Sequence, residues 1–223
     1  MDRFFDATIL YLVFLMSTTF HEAAHAAVAL WGGDRTAYLG GQVSLDPMPH
    51  IRREPMGMVL VPLILLFTTG GLMGWASAPY NVLWARHNHR KAALMSFAGP
   101  AANLLLFISA GLLMKIGISS GFFISSDVTG YTEIGSATSL GFLKILKPVF
   151  SLNLILFALN LMPLPGLDGS GVVCGFFDKN TAWKISDFIS NPSLSFVSFI
   201  LILYLFPTIL RPLEKIASAI FSF

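Results

Sequence analysis

The stretch His21-Glu22-Ala23-Ala24-His25 lies inside an apolar run, with ATILYLVFLMSTTF (7–20) before it and AAVALW (26–31) after it. Positions four residues apart share a face of an α-helix, so both imidazoles can bind one metal ion. Glu22 is next to the first histidine, where it can take a proton from a metal-bound water. Ionisable side chains are costly in a membrane-length segment and by default mark function. The stretch predicts a hydrolytic zinc site within a membrane.

The same residues also allow a structural interpretation. Two core histidines could pack on a buried helix, with Glu22 as their hydrogen-bonding partner. The cost of desolvating three such groups in a lipid-facing segment argues against this interpretation.

The composition of the chain supports a membrane setting. Hydrophobic residues make up 55% of the 223 residues and charged residues 12%, and the mean hydropathy is +0.72. These values are far from those of soluble domains. A net charge of +2 provides no basic surface for nucleic acid. Because Cys174 is the one cysteine, a disulfide framework and a thiolate zinc cage are excluded.

Apolar segments of spanning length predict an all-α polytopic membrane protein, with residues 1–223 as a single domain. Pro62 in the second segment frees a backbone carbonyl, which a neighbouring helix must satisfy. Gly70 and Gly71 allow this second segment to be re-entrant rather than a full crossing. The five segments cover about residues 4–30, 56–73, 92–116, 143–161 and 194–210.

The linkers between the segments are polar. Residues 38–45 (YLGGQVSL) alternate loosely, which predicts a short membrane-associated strand pair after the first helix. Such a strand could hold an extended peptide by strand addition, although a plain surface loop fits the pattern equally well. Residues 86–91 (RHNHRK) form a basic cluster that either binds lipid headgroups or acts as a cytoplasmic topology signal.

A catalytic zinc ion usually has three protein ligands, so one more is required. Candidates are His50, His87, His89 and the acidic residues. Asp168 stands out in NLMPLPGLDG (160–169), where two prolines break the fourth apolar segment and deliver a carboxylate. By itself an Asp-Gly after prolines is a turn signal. The three histidines lie in polar linkers, away from the membrane depth of His21 and His25, and we do not expect them to bind the metal.

The two motifs together resemble the site-2 protease family of intramembrane zinc metalloproteases. That family carries His-Glu-x-x-His in one transmembrane helix and Asn-x-x-Pro-x-Pro-x-x-Asp-Gly near another. The resemblance implies that His21, His25 and Asp168 hold one Zn²⁺ ion and that Glu22 is the general base. It places Asn160 near the substrate or the developing oxyanion. GPAAN (99–103) resembles a further family element, a helix opening of small residues packed against the catalytic core.

The resemblance extends into the linkers of a bacterial subgroup, in residues 33–37 (GDRTA), 41–50 (GQVSLDPMPH) and 74–76 (GWA). The chain departs from the subgroup at four points that do not touch the proposed chemistry, and one of these is Arg52-Arg53, which looks like an insertion before Glu54-Pro55. Gln42 stands where an arginine is expected, Asp46 where an asparagine is expected, and Ser77-Ala78 where a Lys-Pro pair is expected.

The expected function is hydrolysis of a peptide bond in or near a transmembrane segment of a membrane-protein substrate. The alternative is a metal-ion transporter or another non-proteolytic metal-binding membrane protein, although transport alone needs no base beside the metal. The expected location is the bacterial inner (cell) membrane, with multiple crossings. The expected partners are a transmembrane substrate and membrane lipid, with no nucleic acid, and the oligomeric state stays open.

Overall fold

The computed structural model describes residues 2–124 and 136–221, and all regular secondary structure in that part of the chain is helical. The predicted all-α class is therefore confirmed. The elements are α1 Asp2–Gly32, α2 Thr36–Leu39, α3 Pro47–Arg53, a π-helix Met56–Leu60, α4 Val61–Thr69, α5 Val82–His87, α6 His89–Ser119, α7 Ala137–Asn160, α8 Asp168–Cys174, α9 Lys179–Ile189 and α10 Pro192–Phe221.

Three of the described helices are long and apolar enough to cross a membrane: Phe4–Gly32, His89–Ser119 and Thr138–Asn160. A fourth crossing results if α9 and Ser193–Phe206, which are bent by 75° at a short break, count as one span. The prediction of five spanning segments is therefore wrong for the described residues, whereas the multi-pass membrane architecture is confirmed.

The second apolar segment is too short to cross. Its π-helix has five residues and α4 has nine, which together reach about 21 Å at 1.5 Å per residue, against a hydrocarbon core of about 30 Å. Gly70, with φ of +71°, ends α4 in the left-handed conformation. Pro62 has no N–H group and cannot donate to the Met58 carbonyl four residues earlier. The Tyr11 hydroxyl of α1 donates to that carbonyl instead. A neighbouring helix thus satisfies the freed carbonyl, as predicted.

The predicted strand pair in residues 38–45 is wrong. Tyr38 and Leu39 belong to the helical turn α2, and Gly41, with φ of +74°, follows them in a tight turn. The Ser44 hydroxyl then accepts from the Asp46 amide, and the Asp46 carboxylate accepts from the Met48 amide to cap α3. A segment whose apolar and polar residues alternate loosely forms a strand only when a neighbouring strand supplies backbone hydrogen bonds. Here the backbone amides bind nearby side chains instead.

Helix α6 is the centre of the fold and packs against α1, α7 and α8. Phe107 of α6, Phe150 of α7 and Phe221 of α10 form an aromatic cluster away from the metal-binding motif. Helix α8 approaches α6 closely because a Cβ at Gly171 would overlap Ser96 and a Cβ at Gly175 would overlap Ala93. This close approach brings the start of α8 to the face of α1 that carries the histidines.

Candidate metal centre

His21 and His25 lie on one face of α1, one turn apart, and both side chains are buried. Their Nε2 atoms are 3.0 Å apart. The i, i+4 spacing therefore places the two imidazoles together, as the sequence predicted.

Asp168 joins them from the first residue of α8. Its Oδ2 lies 3.0 Å from Nε2 of His21 and 3.3 Å from Nε2 of His25. A Cβ at Gly169 would overlap the carbonyl oxygens of Leu161 and Met162. The glycine after Asp168 therefore allows the chain to fold back closely enough for the carboxylate to reach α1.

Each histidine has its other ring nitrogen on a hydrogen-bond acceptor. Nδ1 of His21 lies 2.5 Å from Oδ1 of Asn103, and Nδ1 of His25 lies 2.6 Å from the Met95 carbonyl oxygen. A carbonyl only accepts, so Nδ1 of each ring carries the proton and Nε2 of the neutral ring carries a lone pair. Outer acceptors of this kind are typical of metal-binding histidines.

The consequence is that two nitrogen lone pairs and one carboxylate oxygen point at each other from 3.0–3.3 Å. Such a triangle of acceptors is repulsive without a cation. Tetrahedral zinc with ligands at about 2.0–2.1 Å places its ligand atoms about 3.3 Å apart. The donor set of two imidazoles and one carboxylate, with this spacing, fits a catalytic zinc ion.

Glu22 completes the group. Its carboxylate lies within 4.8 Å of the ligating nitrogens of both histidines, the side chain is 5% exposed, and Oε2 has no hydrogen-bond partner among the described residues. A buried carboxylate oxygen without a partner is costly unless it has a task. Glu22 is also among the residues that line the cavity described below.

Gly99 makes room for the rings. A Cβ at this position of α6 would overlap the Nε2 atoms of both His21 and His25. The GPAAN element therefore does more than pack the helices, because its glycine clears the metal-binding volume and its asparagine, Asn103, accepts from His21.

A cavity of about 700 Å³ opens from the metal centre. Glu22, His25 and Asp168 lie in it, and Trp183 of α9 lines another side. The Trp183 indole donates to the Arg86 carbonyl at 2.7 Å, and Arg86 pairs with Asp187, so α5 and α9 are joined at the cavity. The volume is in the range of ligand sites that hold several side chains.

One side of the cavity is a segment of backbone without helix, turn or bend, residues 76–80, which we call the extended wall. The amide groups of Ala76, Ala78 and Tyr80 have no hydrogen-bond partner among residues 2–124 and 136–221. The Ser77 carbonyl accepts from Gln42 and Arg53, and the Ser77 hydroxyl donates to Glu54. Two departures from the subgroup pattern, Gln42 and Ser77, therefore contact each other at this wall.

Asp34 fastens the far end of the extended wall to α1. Its carboxylate accepts from the Thr36 amide and hydroxyl and, at 2.7 Å, from the Asn81 amide. Burial favours the neutral acid, but these hydrogen bonds outweigh burial and lower the pKa of Asp34. The carboxylate is therefore ionised at neutral pH and holds residue 81 in place.

The other histidines stay outside the metal centre. His50 is buried with Nε2 near the Ser44 carbonyl, and His87 bonds the Leu83 carbonyl. His89 lines the cavity without joining the metal-binding group of the described residues.

Asn160 is the last residue of α7 and is half-buried. It does not line the cavity described above, so its oxyanion role stays a prediction.

Sequence reasoning missed two residues near the metal. Asn103 was visible within GPAAN but received no separate role, and Asn153 was passed over in the fourth apolar segment. An amide inside an apolar helix was the available signal for Asn153, because such a group needs a polar partner.

Two histidines one turn apart on a membrane helix, an aspartate from a broken segment and an adjacent glutamate define the class of membrane metalloproteases. The chain belongs to Peptidase family M50, the site-2 protease family, which it matches over residues 9–205. It is a zinc metalloprotease of that family and a multi-pass integral protein of the bacterial cell membrane.

Curated relatives agree with this assignment. The chain is 35% identical over 181 residues to "Putative zinc metalloprotease YwhC" of Bacillus subtilis (strain 168), covering 78% of this chain and 73% of the relative. It is 31% identical over 160 residues to "Putative zinc metalloprotease Rip2" of Mycolicibacterium smegmatis, covering 71% and 53%. For the Mycobacterium tuberculosis H37Rv protein of the same name the identity is 30% over 197 residues, covering 87% and 66%. The chain matches no solved structure.

Proposed function

We propose that residues 1–223 act as one intramembrane endopeptidase domain, which hydrolyses a peptide bond in or near a transmembrane segment of a membrane-protein substrate. The observation that carries this proposal is the triangle of acceptors formed by His21, His25 and Asp168, with the partnerless carboxylate oxygen of Glu22 beside it. These three residues would hold the zinc ion.

Zinc, when bound, lowers the pKa of a coordinated water and polarises a carbonyl oxygen. Glu22 takes the proton of the attacking water at its free carboxylate oxygen and passes it to the leaving nitrogen as the peptide bond breaks. The Asp168 carboxylate would offset part of the positive charge of the zinc ion. The hydrogen bonds of the two Nδ1 atoms keep both imidazoles in their metal-binding orientation. Asn160 would donate to the substrate carbonyl or the oxyanion.

The extended wall indicates how a substrate would be held. A transmembrane helix hides its carbonyls in its own hydrogen bonds, so a substrate must unwind before its peptide bond can be attacked. The free amides of Ala76, Ala78 and Tyr80 could then pair with the unwound segment by strand addition. The sequence analysis had considered residues 38–45 for this role, with a plain surface loop as an equal alternative.

Cleavage of a synthetic transmembrane peptide by the purified protein in detergent tests the proposal. We expect zinc-dependent cleavage that falls about 10²–10⁴-fold in Glu22→Gln, because the base is lost. Zinc content should be unchanged in Glu22→Gln and lost in His21→Ala, His25→Ala and Asp168→Ala.

Glu214→Gln is the matched control, since it makes the same chemical change at an exposed position of α10. It should leave both readouts unchanged. Zinc binding without peptide cleavage in the wild-type protein would contradict the protease assignment and favour a metal-binding or transport function. A zinc-free but folded Glu22→Gln protein would show that Glu22 is a ligand rather than the base.

A further inference from the structure

We infer that Asn103 of α6 and Asn153 of α7 are positioning residues, which hold His21 in the tautomer that presents the Nε2 lone pair to the metal. The inference rests on the metal centre proposed above and adds a helix, α7, that supplies no metal ligand to it.

The contacts form one directed chain. Nδ2 of Asn153 donates to the Val149 carbonyl at 2.8 Å and to the Ser17 hydroxyl at 2.9 Å. Nδ2 of Asn103 donates to Oδ1 of Asn153 at 2.8 Å. Oδ1 of Asn103 then faces Nδ1 of His21 at 2.5 Å.

A backbone carbonyl determines the direction of this chain. The Val149 carbonyl can only accept, so Asn153 must turn its NH₂ group towards it and its oxygen towards Asn103. Asn103 must then donate from its own NH₂ group to the Asn153 oxygen, and its Oδ1 is left to accept from His21. Reversing either amide would set two donors or two acceptors against each other.

Burial makes this series of hydrogen bonds energetically important. Asn103 and Asn153 are fully buried, and Ser17 is 3% exposed. A buried amide that loses its partner costs about 1–3 kcal/mol, and no solvent is at hand to replace it. The three side chains come from α6, α7 and α1, so helix packing fixes their geometry before any metal binds.

His25 reaches the same result by a shorter route. Its Nδ1 lies on the Met95 carbonyl, an acceptor that no side-chain substitution removes. His21 instead bonds the side-chain amide of Asn103, so its tautomer depends on two side chains, Asn103 and Asn153, that mutation can change.

The experiment measures zinc affinity by competition with a chelator, together with the visible absorption of the cobalt-substituted protein. Asn103→Leu keeps a similar shape but removes the acceptor, and we expect zinc affinity to fall about 10–100-fold. Asn153→Leu should weaken it severalfold, because the NH₂ group of Asn103 then keeps only its longer contact, at 3.4 Å, to the Ser17 carbonyl. Asn103→Asp should restore affinity to within about tenfold of the wild type, because a protonated carboxyl group can donate to Oδ1 of Asn153 and still accept from Nδ1 of His21.

Thr19→Val is the matched control, because Thr19 is fully buried on α1 and its hydroxyl bonds only to the Leu15 carbonyl among the described residues. It should leave zinc affinity and the cobalt spectrum unchanged. Equal affinities for Asn103→Leu and Asn103→Asp, both folded by circular dichroism, would overturn the inference. If Asn103→Leu does not fold, Asn153→Leu decides, and an unchanged cobalt spectrum in that variant overturns it. A wild-type protein that binds no zinc would instead overturn the proposed metal centre itself.

Discussion

At the scale of single residues, the metal centre is defined by where protons are absent. Nδ1 of each ligating histidine is committed to an acceptor outside the site, so nothing but lone pairs remains inside. Two neutral rings and a carboxylate can lie together in a buried place because one bound cation would accept a lone pair from each of them. Glu22, the proposed base, is buried beside them and lines the cavity.

Asn160 is proposed to act on the transition state, although it does not line the cavity. As an oxyanion donor it contributes only to the transition state, so Asn160→Ala should cleave about 10²–10³-fold more slowly while zinc content and melting temperature stay as in the wild type. Single-turnover cleavage and metal analysis of the purified variant measure both quantities. Loss of zinc or unfolding in Asn160→Ala would make Asn160 a structural residue of the turn after α7.

Asp34 is predicted to make stability depend on pH in the acid range. Its folded-state pKa lies below the unfolded value of about 3.9. Its contribution is therefore complete above that value and is lost as the pH falls towards the folded-state pKa. Asp34→Asn should cost about 1–3 kcal/mol at pH 7 and show less further loss between about pH 5 and pH 3 than the wild type.

Asp178→Asn is the control for Asp34, because Asp178 accepts from the Asn180 and Thr181 amides in a similar turn but is exposed. Asparagine caps a helix about as well as aspartate, so little change is expected. Thermal unfolding in detergent at several pH values compares the variants. Equal losses in both would show that the buried position of Asp34 has no special effect.

At the scale of helices, glycines decide how close α6 and α8 come to the metal ligands. Gly99 faces the two rings of α1, and Gly171 and Gly175 seat α8 on α6. Without these small residues the carboxylate and the imidazoles would be held apart by side-chain volume, since packed helices cannot absorb an added methyl group without a shift.

Gly99→Ala tests this effect of volume. The added methyl group would overlap both Nε2 atoms, so we expect zinc affinity to fall by at least about tenfold while the helices stay folded. Gly141→Ala on α7 is the control, because a Cβ there meets no atom within 4 Å. Chelator competition and circular dichroism measure the two variants. Unchanged zinc affinity in Gly99→Ala would show that α6 yields to the methyl group.

At the scale of the whole molecule, the contacts between helix ends define two faces. The Gly32 carbonyl at the end of α1 accepts from Trp84 and Lys91, near the start of α6, whereas Asp6 near the start of α1 pairs with Lys144 near the start of α7. Residues 33–55, 81–88 and 161–190 therefore share one face, which we call the metal-side face, because His25 lies about 10 Å from the end of α1. Residues 56–69 instead run towards the other face, where Phe67 stacks on Phe4 near the start of α1.

Charge orients these faces in the membrane. Eight lysines and arginines lie on the metal-side face, against four on the other face when α10 is left aside. By the positive-inside rule we expect the metal-side face to be cytoplasmic. The eight are Arg35, Arg52, Arg53, Arg86, Arg90, Lys91, Lys179 and Lys184, and the four are Arg3, Lys115, Lys144 and Lys147.

Cysteine labelling measures this orientation, starting from a Cys174→Ser background that removes the one native thiol. A membrane-impermeant maleimide should label Ser119→Cys in intact cells. It should label Leu45→Cys, exposed on the metal-side face, only after the membrane is opened. The reverse pattern would show that the metal-side face is outside the cell.

The sequence by itself indicated the two histidines, the glutamate and the aspartate of the proposed metal centre, and it determined the apolar, helical character of the chain. His21 and His25 follow from a local rule, since helix geometry alone places positions four apart together. Apolar runs likewise predict membrane helices, because the residues of a helix that crosses the hydrocarbon core must be predominantly apolar.

The tertiary structure decided what depends on partners distant in sequence. Residues 38–45 form no strand because no partner ladder reaches them, and Gly70 shortens the second segment below spanning length. The extended wall depends on Asp34 and Gln42, and the tautomer of His21 depends on Asn103 and Asn153, far away along the chain. Hydrogen-bond direction and helix contact are properties of pairs of residues, and a pattern read along one chain does not contain them.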